Sequence, residues 1–114
     1  MKRRDAAEFF AGIGLVRLGL ERAGWRVSFA NDIDPFKYEM YRANFGDADF
    51  HLGDVRAIRL TDIPPVRLAT ASFPCVDLSL AGNRNGLAGT HSSAYWAFHE
   101  ILQGMRPRPD AVML

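Results

Sequence analysis

The sequence predicts an α/β fold in which a mostly parallel sheet carries helices on both faces. Two observations predict it. Short apolar runs of strand length alternate along the chain with segments whose apolar residues recur at helical spacing. Glycine, asparagine and proline turns separate the two kinds of segment. At 114 residues the chain is one domain or part of one, and 48% hydrophobic content suits a globular rather than a disordered chain.

Ala6 to Phe10 is the first strand, ending in a turn that contains Gly12 and Gly14. From Ile13, the apolar residues Leu15, Val16, Leu18, Leu20 and Ala23 alternate with Arg17, Glu21 and Arg22, giving a helix closed by Gly24. Trp25 to Ala30 is rich in strand formers and forms the second strand. The run Asn31-Asp32-Ile33-Asp34-Pro35 breaks it, with Asp34 placed to cap the next helix and Pro35 at its first position. That second helix covers Phe36 to Asn44 and closes near Gly46.

Phe50 to Leu52 makes a short third strand followed by Gly53-Asp54. Ile63-Pro64-Pro65 stops any short helix before it, and Val66 to Phe73 is the next strand. Gly82, Asn83, Asn85, Gly86, Gly89 and Ser92 mark a long flexible loop. Ser92 or Ser93 caps a third helix running to about Gly104, with Tyr95, Trp96, Phe98, Ile101 and Leu102 on its buried side. Asp110 to Leu114 is a final apolar run. There is no internal repeat and no low-complexity segment.

Composition excludes several classes. A net charge of +1 does not by itself predict nucleic-acid binding, because dedicated modules are usually far more basic. One cysteine, Cys75, can form no internal disulfide and anchors no metal cluster, so no metal site is expected. No apolar stretch approaches the ~20 residues that span a bilayer. The basic start, Met1 to Asp5, is followed by no apolar leader core, so no signal peptide is expected. A lone thiol fits a reducing cytosol.

In parallel sheets of this kind ligands sit beyond the carboxyl ends of the strands, where strand order reverses. Gly12 and Gly14 follow a strand and open a helix, where glycine admits positive φ and close backbone approach. The spacing is not the dinucleotide fingerprint, and a tight turn without a ligand is equally consistent with it. Asp32 ends the second strand about 20 residues later, where a carboxylate can accept from ribose hydroxyls; a helix cap is the alternative, for which Asp34 is better placed. Asp54 could accept from a purine amine or be an ordinary turn aspartate. Cys75 lies at the end of an apolar strand in Phe73-Pro74-Cys75. Buried cysteines are often inert, but Pro74 ends the strand ladder and the Ser, Gly and Asn residues beyond place the thiol at a loop. At a pKa of about 8.5 only a minority is thiolate at neutral pH. Neither His91 nor His99 has the spacing of a Cys–His pair, so protease-like chemistry is disfavoured.

These motifs resemble the amino-terminal part of the C5-cytosine DNA methyltransferase family, over about Glu8 to Leu114. Phe10-Ala11-Gly12-Ile13-Gly14 is similar to the family's cofactor turn, and Asn31-Asp32-Ile33-Asp34 to its ribose and adenine segment. Gly53-Asp54-Val55 is similar to the segment meeting the adenine amine, Phe73-Pro74-Cys75 to the catalytic signature, and Ser79 to Gly89 to the loop that closes over DNA. The resemblance implies a Rossmann-like fold dependent on S-adenosyl-L-methionine, the chain being the amino-terminal part of a catalytic domain over residues 1–114, without the target-recognition domain. It implies that Cys75 attacks carbon 6 of a flipped cytosine so that carbon 5 can take a methyl group. It also implies that Phe10, Gly12, Gly14, Asp32, Ile33, Asp54 and Pro74 meet the cofactor, and that Ser79, Gly82 and Arg84 lie on the DNA-binding loop. A bacterial, cytoplasmic, nucleoid-associated enzyme of a restriction-modification system follows from the same likeness.

Two residues depart from the family pattern: Leu15 stands where a further glycine is frequent, and Ile33 where an aromatic residue is common. The family's Glu-Asn-Val signature, whose acid would protonate the cytosine ring, is expected just beyond the strand at Ala111 to Leu114. The chain is therefore expected to be inactive alone and to need a carboxyl-terminal complementing chain. The alternatives are a non-catalytic cofactor-binding half of a split or degenerate enzyme, a tRNA cytosine-C5 methyltransferase, and a metabolite-binding nucleotide domain unrelated to DNA. Val76 to Ser79 is closer to the DNA enzymes, and the glycine spacing disfavours the last.

Overall fold

The structure, a computed structural model, describes residues 3–73 and 93–114. Its elements in chain order are strand β1 (Asp5–Phe9), helix α1 (Leu15–Arg22), strand β2 (Arg26–Asp32), helix α2 (Pro35–Phe45), strand β3 (Phe50–Leu52), strand β4 (Leu68–Ala71), helix α3 (Ser93–Gly104) and strand β5 (Ala111–Met113). Two short 3-10 turns, Val55–Ala57 and Leu60–Asp62, fill the stretch before Pro64-Pro65 where a short helix is expected. The predicted loop from Gly82 to Ser92, and Ser92 as a helix cap, lie outside the described residues.

All strand pairs are parallel, in the order β3-β2-β1-β4-β5. The chain builds outward from β1 through β2 to β3, then returns to the other side of β1 with β4. The reversal therefore falls between β1 and β4, and the crevice beyond their carboxyl ends is where such sheets bind ligands. Central β1 is buried from Ala6 to Phe9, as expected of a parallel strand covered on both faces.

Alternate residues of the strands feed two cores. Ala7, Phe9, Phe29, Ala69 and Ala71 pack with Phe98, Ile101 and Met105 around α3. Phe9 anchors this layer, its ring 5.3 Å from Phe29 and 5.0 Å from Phe98. Ala6, Val27 and Ala30 pack on the other face with Leu20 of α1 and Tyr41 of α2. Asp34 caps α2 as its sequence predicts, Oδ1 accepting from the amides of Phe36 at 2.9 Å and Lys37 at 3.4 Å.

The differences from expectation are local. β1 ends at Phe9 because Phe10 adopts φ +54°, which no strand can continue. α1 begins at Leu15 because Gly14, at φ +95°, is its cap. β4 is shorter than Val66 to Phe73, its ladder reaching only Leu68–Ala71. Trp96 is not on the buried side of α3: it is 45% exposed, because it lies about 200° around the helix from buried Phe98. Among the described residues, no helix is long and apolar enough to cross a membrane.

Candidate functional site

The turn after β1 is held on several sides. The amide of Ala11 donates to the carbonyl of Asn31 at 3.0 Å, and that of Gly14 to the carbonyl of Ala11 at 3.1 Å. Gly12 adopts φ +59°, with open space where a Cβ would stand. Phe10 shares the left-handed region, uncommon for an aromatic residue, and this conformation brings its ring within 4.9 Å of Phe73 beyond the end of β4. Two strands that are neighbours in the sheet but far apart in sequence are thus joined at their carboxyl ends.

Asp32, at the end of β2, is largely buried. Its Oδ2 accepts from the amide of Gly12 at 2.8 Å and its Oδ1 from the amide of Asp34 at 2.9 Å. A carboxylate offers about four acceptor positions, so both oxygens keep capacity for a further donor. Asn31 beside it is buried, and its side-chain amide donates to the carbonyls of His51 at 2.7 Å and Gly53 at 3.0 Å. Those bonds fix the end of β3 and the turn into Asp54. Asp54 Oδ1 accepts from the amide of Arg56 at 2.9 Å; among the described residues no donor meets Oδ2.

These ends enclose a cavity of about 880 Å3. Of the residues singled out in the sequence, Phe10, Gly12, Asp32, Ile33 and Asp54 line it. Gly14 does not: it stands behind the turn, where a Cβ would clash with Phe45 Cε2. Its missing side chain serves packing against α2. Pro74, Cys75, Ser79, Gly82 and Arg84 lie outside the described residues. Ser72 and Phe73, the two residues before Pro74, line the cavity.

The walls combine apolar and polar groups. Ile33 and Leu15 line the cavity while 64% and 70% exposed, a placement that leaves apolar surface for a ligand to cover. Asp32, Asp34 and Asp54 supply acceptors, and Lys37 and Arg56 supply positive charge. Sequence reasoning missed Lys37 and Arg56, although each stands within three residues of a singled-out aspartate. Such a space can hold a nucleoside-like molecule, with an apolar ring against the rim and hydroxyls or amines at the carboxylates.

A second polar group lies beneath the turn. Glu8 in β1 is 1% exposed, and its Oε1 accepts from the Tyr41 hydroxyl at 3.1 Å. Burial pushes its carboxyl up to about 7, against the opposing pull of Tyr41 and Arg17. The same burial drives the Tyr41 phenol upward. Sequence reasoning also missed Glu8; the available signal is a single acid inside the otherwise apolar run Ala6-Ala7-Glu8-Phe9.

Comparison with known proteins gives the family and the fold. The family description "C-5 cytosine-specific DNA methylase" matches residues 5–114. The chain is 36% identical over 108 residues to the type II methyltransferase M.HaeII of Haemophilus aegyptius, covering 95% of this chain and 33% of that protein. It is 36% identical over 101 residues to the type II methyltransferase M.NgoBI of Neisseria gonorrhoeae, covering 89% and 31%. The chain thus spans about a third of the length of the curated relatives it matches. Among solved structures, the Dnmt2 methyltransferase of S. pombe superposes with a TM-score of 0.76 at 24% identity, over 97% of this chain and 35% of that one. The Entamoeba histolytica methyltransferase EhMeth superposes with a TM-score of 0.80 at 19% identity, over 99% and 38%. At those identities the two structures speak for the shared fold.

Proposed function

The chain belongs to the C-5 cytosine-specific DNA methylase family, and from that premise we propose that it carries the S-adenosylmethionine site and the nucleophile of a cytosine-C5 DNA methyltransferase. One observation carries the reading: the cavity at the β1–β4 reversal gathers Gly12, Asp32, Ile33 and Asp54, and its wall runs to Phe73, two residues before Cys75.

The residues present suit the cofactor. Its adenine would lie against Ile33, with Asp54 Oδ2 available to its amine. Asp32, already holding the turn, would accept from the ribose with its remaining lone pairs. Phe10 would pack on the cofactor and the backbone at Gly12 would approach its methionine part, while Gly14 supports that turn from behind. Pro74 would border the same site. When bound, S-adenosylmethionine supplies the methyl group.

Cys75 is the proposed nucleophile. Its thiolate adds to carbon 6 of a cytosine turned out of the duplex, forming a carbon–sulfur bond and making carbon 5 nucleophilic. Carbon 5 would then take the methyl group, leaving S-adenosylhomocysteine; transfer of the carbon-5 proton to a base would let elimination break the carbon–sulfur bond and return the thiolate. Ser79, Gly82 and Arg84 would meet the DNA, and a carboxyl-terminal complementing chain would supply the remaining chemistry.

Two experiments test this. Calorimetric titration should show binding of S-adenosylhomocysteine and none of a nicotinamide dinucleotide, with Asp54→Ala weakening it by about tenfold. Preference for the dinucleotide would overturn the reading. Tritium transfer from S-adenosylmethionine to duplex DNA, measured with the chain complemented by the carboxyl-terminal part of a relative, should vanish in Cys75→Ser. Transfer that survives this change would remove Cys75 from its role.

A further inference from the structure

Glu8 is a buried acid that the proposed chemistry does not use. It pairs in register with Ala30 of β2 and Thr70 of β4, and its side chain meets α1 and α2. Oε2 accepts from the backbone amide of Arg17 at 3.2 Å. Arg17 Nη1 in turn donates to the Tyr41 hydroxyl at 3.0 Å, and Arg17 Nε pairs with Glu21 Oε1 at 2.9 Å. The guanidinium lies 5.0 Å from the centre of the Phe45 ring.

Arg17 is the third residue of α1, and its amide is one that a side chain at the cap position ordinarily accepts. Gly14 occupies that position and has no side chain to offer. A larger residue is barred by its φ of +95° and by the Phe45 ring. The acceptor comes instead from the neighbouring strand.

We propose that Glu8 is a positioning residue: it caps α1 from within β1 and thereby fixes the turn before it, whose Gly12 and Ile13 line the cavity. The inference rests on reading that cavity as the S-adenosylmethionine site. Asp32 holds the turn itself through the Gly12 amide, so one carboxylate ties the turn and another the first turn of the helix that follows it. Glu8 is faced by Arg17 from α1, with Glu21 behind it, by Tyr41 from α2 and by Asp32 from β2. Thr70 adjoins it on β4, its Oγ1 buried without a hydrogen-bond partner among the described residues. The ionised carboxylate is the form that accepts both bonds at full strength. With Glu8 titrating at about 7, that form grows as pH rises through neutrality, so ligand affinity should rise with it.

The test uses the whole chain, with amide hydrogen exchange and calorimetric titration of S-adenosylhomocysteine at pH 6 and pH 8. Wild-type affinity should rise by up to about tenfold between the two, following the ionised fraction. Glu8→Gln should flatten that rise. Glu8→Leu should lower both the protection of the Arg17 amide and the affinity by about tenfold, as loss of a cap does, with protection at Ala69 in β4 unchanged. Unaltered Arg17 protection in Glu8→Leu, unaltered affinity despite lost protection, or a pH rise persisting in Glu8→Gln would each overturn the proposal. Lost Arg17 protection in Glu8→Leu, together with no wild-type binding at either pH, would instead support the cap and remove the cofactor reading.

Discussion

The carboxylate of Asp32 accepts a 2.8 Å hydrogen bond from the backbone amide of Gly12, tying the end of β2 to the turn that follows β1. Its other oxygen takes the amide of Asp34. Asp32→Ala leaves both part-buried donors without this acceptor and should cost about 2 kcal/mol in urea unfolding. Asp32→Asn keeps one acceptor but turns an amide group toward the other donor, so an intermediate loss is expected. A stability of Asp32→Ala equal to that of wild type would show that the turn needs no such tie.

Gly12 and Gly14 should respond differently to alanine. Both have positive φ, which costs an alanine about 1 kcal/mol. Gly12→Ala should lose only that, because nothing lies within 4 Å of the added carbon. Gly14→Ala adds a clash with Phe45 Cε2 and Cδ2, and the ring is packed against Tyr41 at 5.2 Å. The loss at Gly14 should be at least twice that at Gly12. Adding Phe45→Leu to Gly14→Ala should recover the clash but not the backbone cost, visible as a favourable coupling in a double-mutant cycle. Additive losses would contradict the packing assigned to Gly14.

What the sequence revealed depended on how local each cause is. Asp34 and Pro35 announce the start of α2 because capping acts within three residues, and the Asp34 side chain does accept those amides. The glycine turn, Asp32 and Asp54 could be placed at strand ends by alternation alone, and they converge on one cavity. That Asp32 also holds Gly12 was not legible, since the donor lies 20 residues away and is brought near only by the pairing of β1 with β2. Glu8 was missed for the same reason: its partners Arg17 and Tyr41 arrive from two different helices. Trp96 was assigned by its apolarity rather than its angle, and a helical count from Phe98 would have turned it outward.

The position of Glu8 also makes stability depend on pH. Burial raises its carboxyl from an ordinary 4.5 to about 7, despite the Tyr41 hydroxyl and Arg17 amide that favour the ionised form. The folded chain therefore holds this proton more tightly than the unfolded chain. The stabilisation is complete below pH 4.5 and lost as pH rises through 7, a change of about 3 kcal/mol. Asp62 acts oppositely, held low mainly by the backbone amide of Arg59, so its contribution is lost in acid. Comparison with Glu8→Gln isolates the one group: the stability of the variant relative to wild type should climb from pH 5 to pH 8. Parallel unfolding profiles would mean that Glu8 does not titrate in this range.

Ile33 separates binding from stability. It lines the cavity while 64% exposed, so little of its side chain supports the fold. Ile33→Ala should leave urea unfolding within about 0.5 kcal/mol of wild type. A purine ring laid against it would cover apolar surface that the alanine lacks, so affinity for S-adenosylhomocysteine should fall by about tenfold. Ile33→Trp tests the same contact in the other direction, since a flat aromatic face stacks on a purine better than a branched chain does; binding should tighten, with stability again unchanged. Equal affinities across isoleucine, alanine and tryptophan would place the adenine elsewhere, and attention would then pass to Leu15 on the same cavity wall, which is 70% exposed.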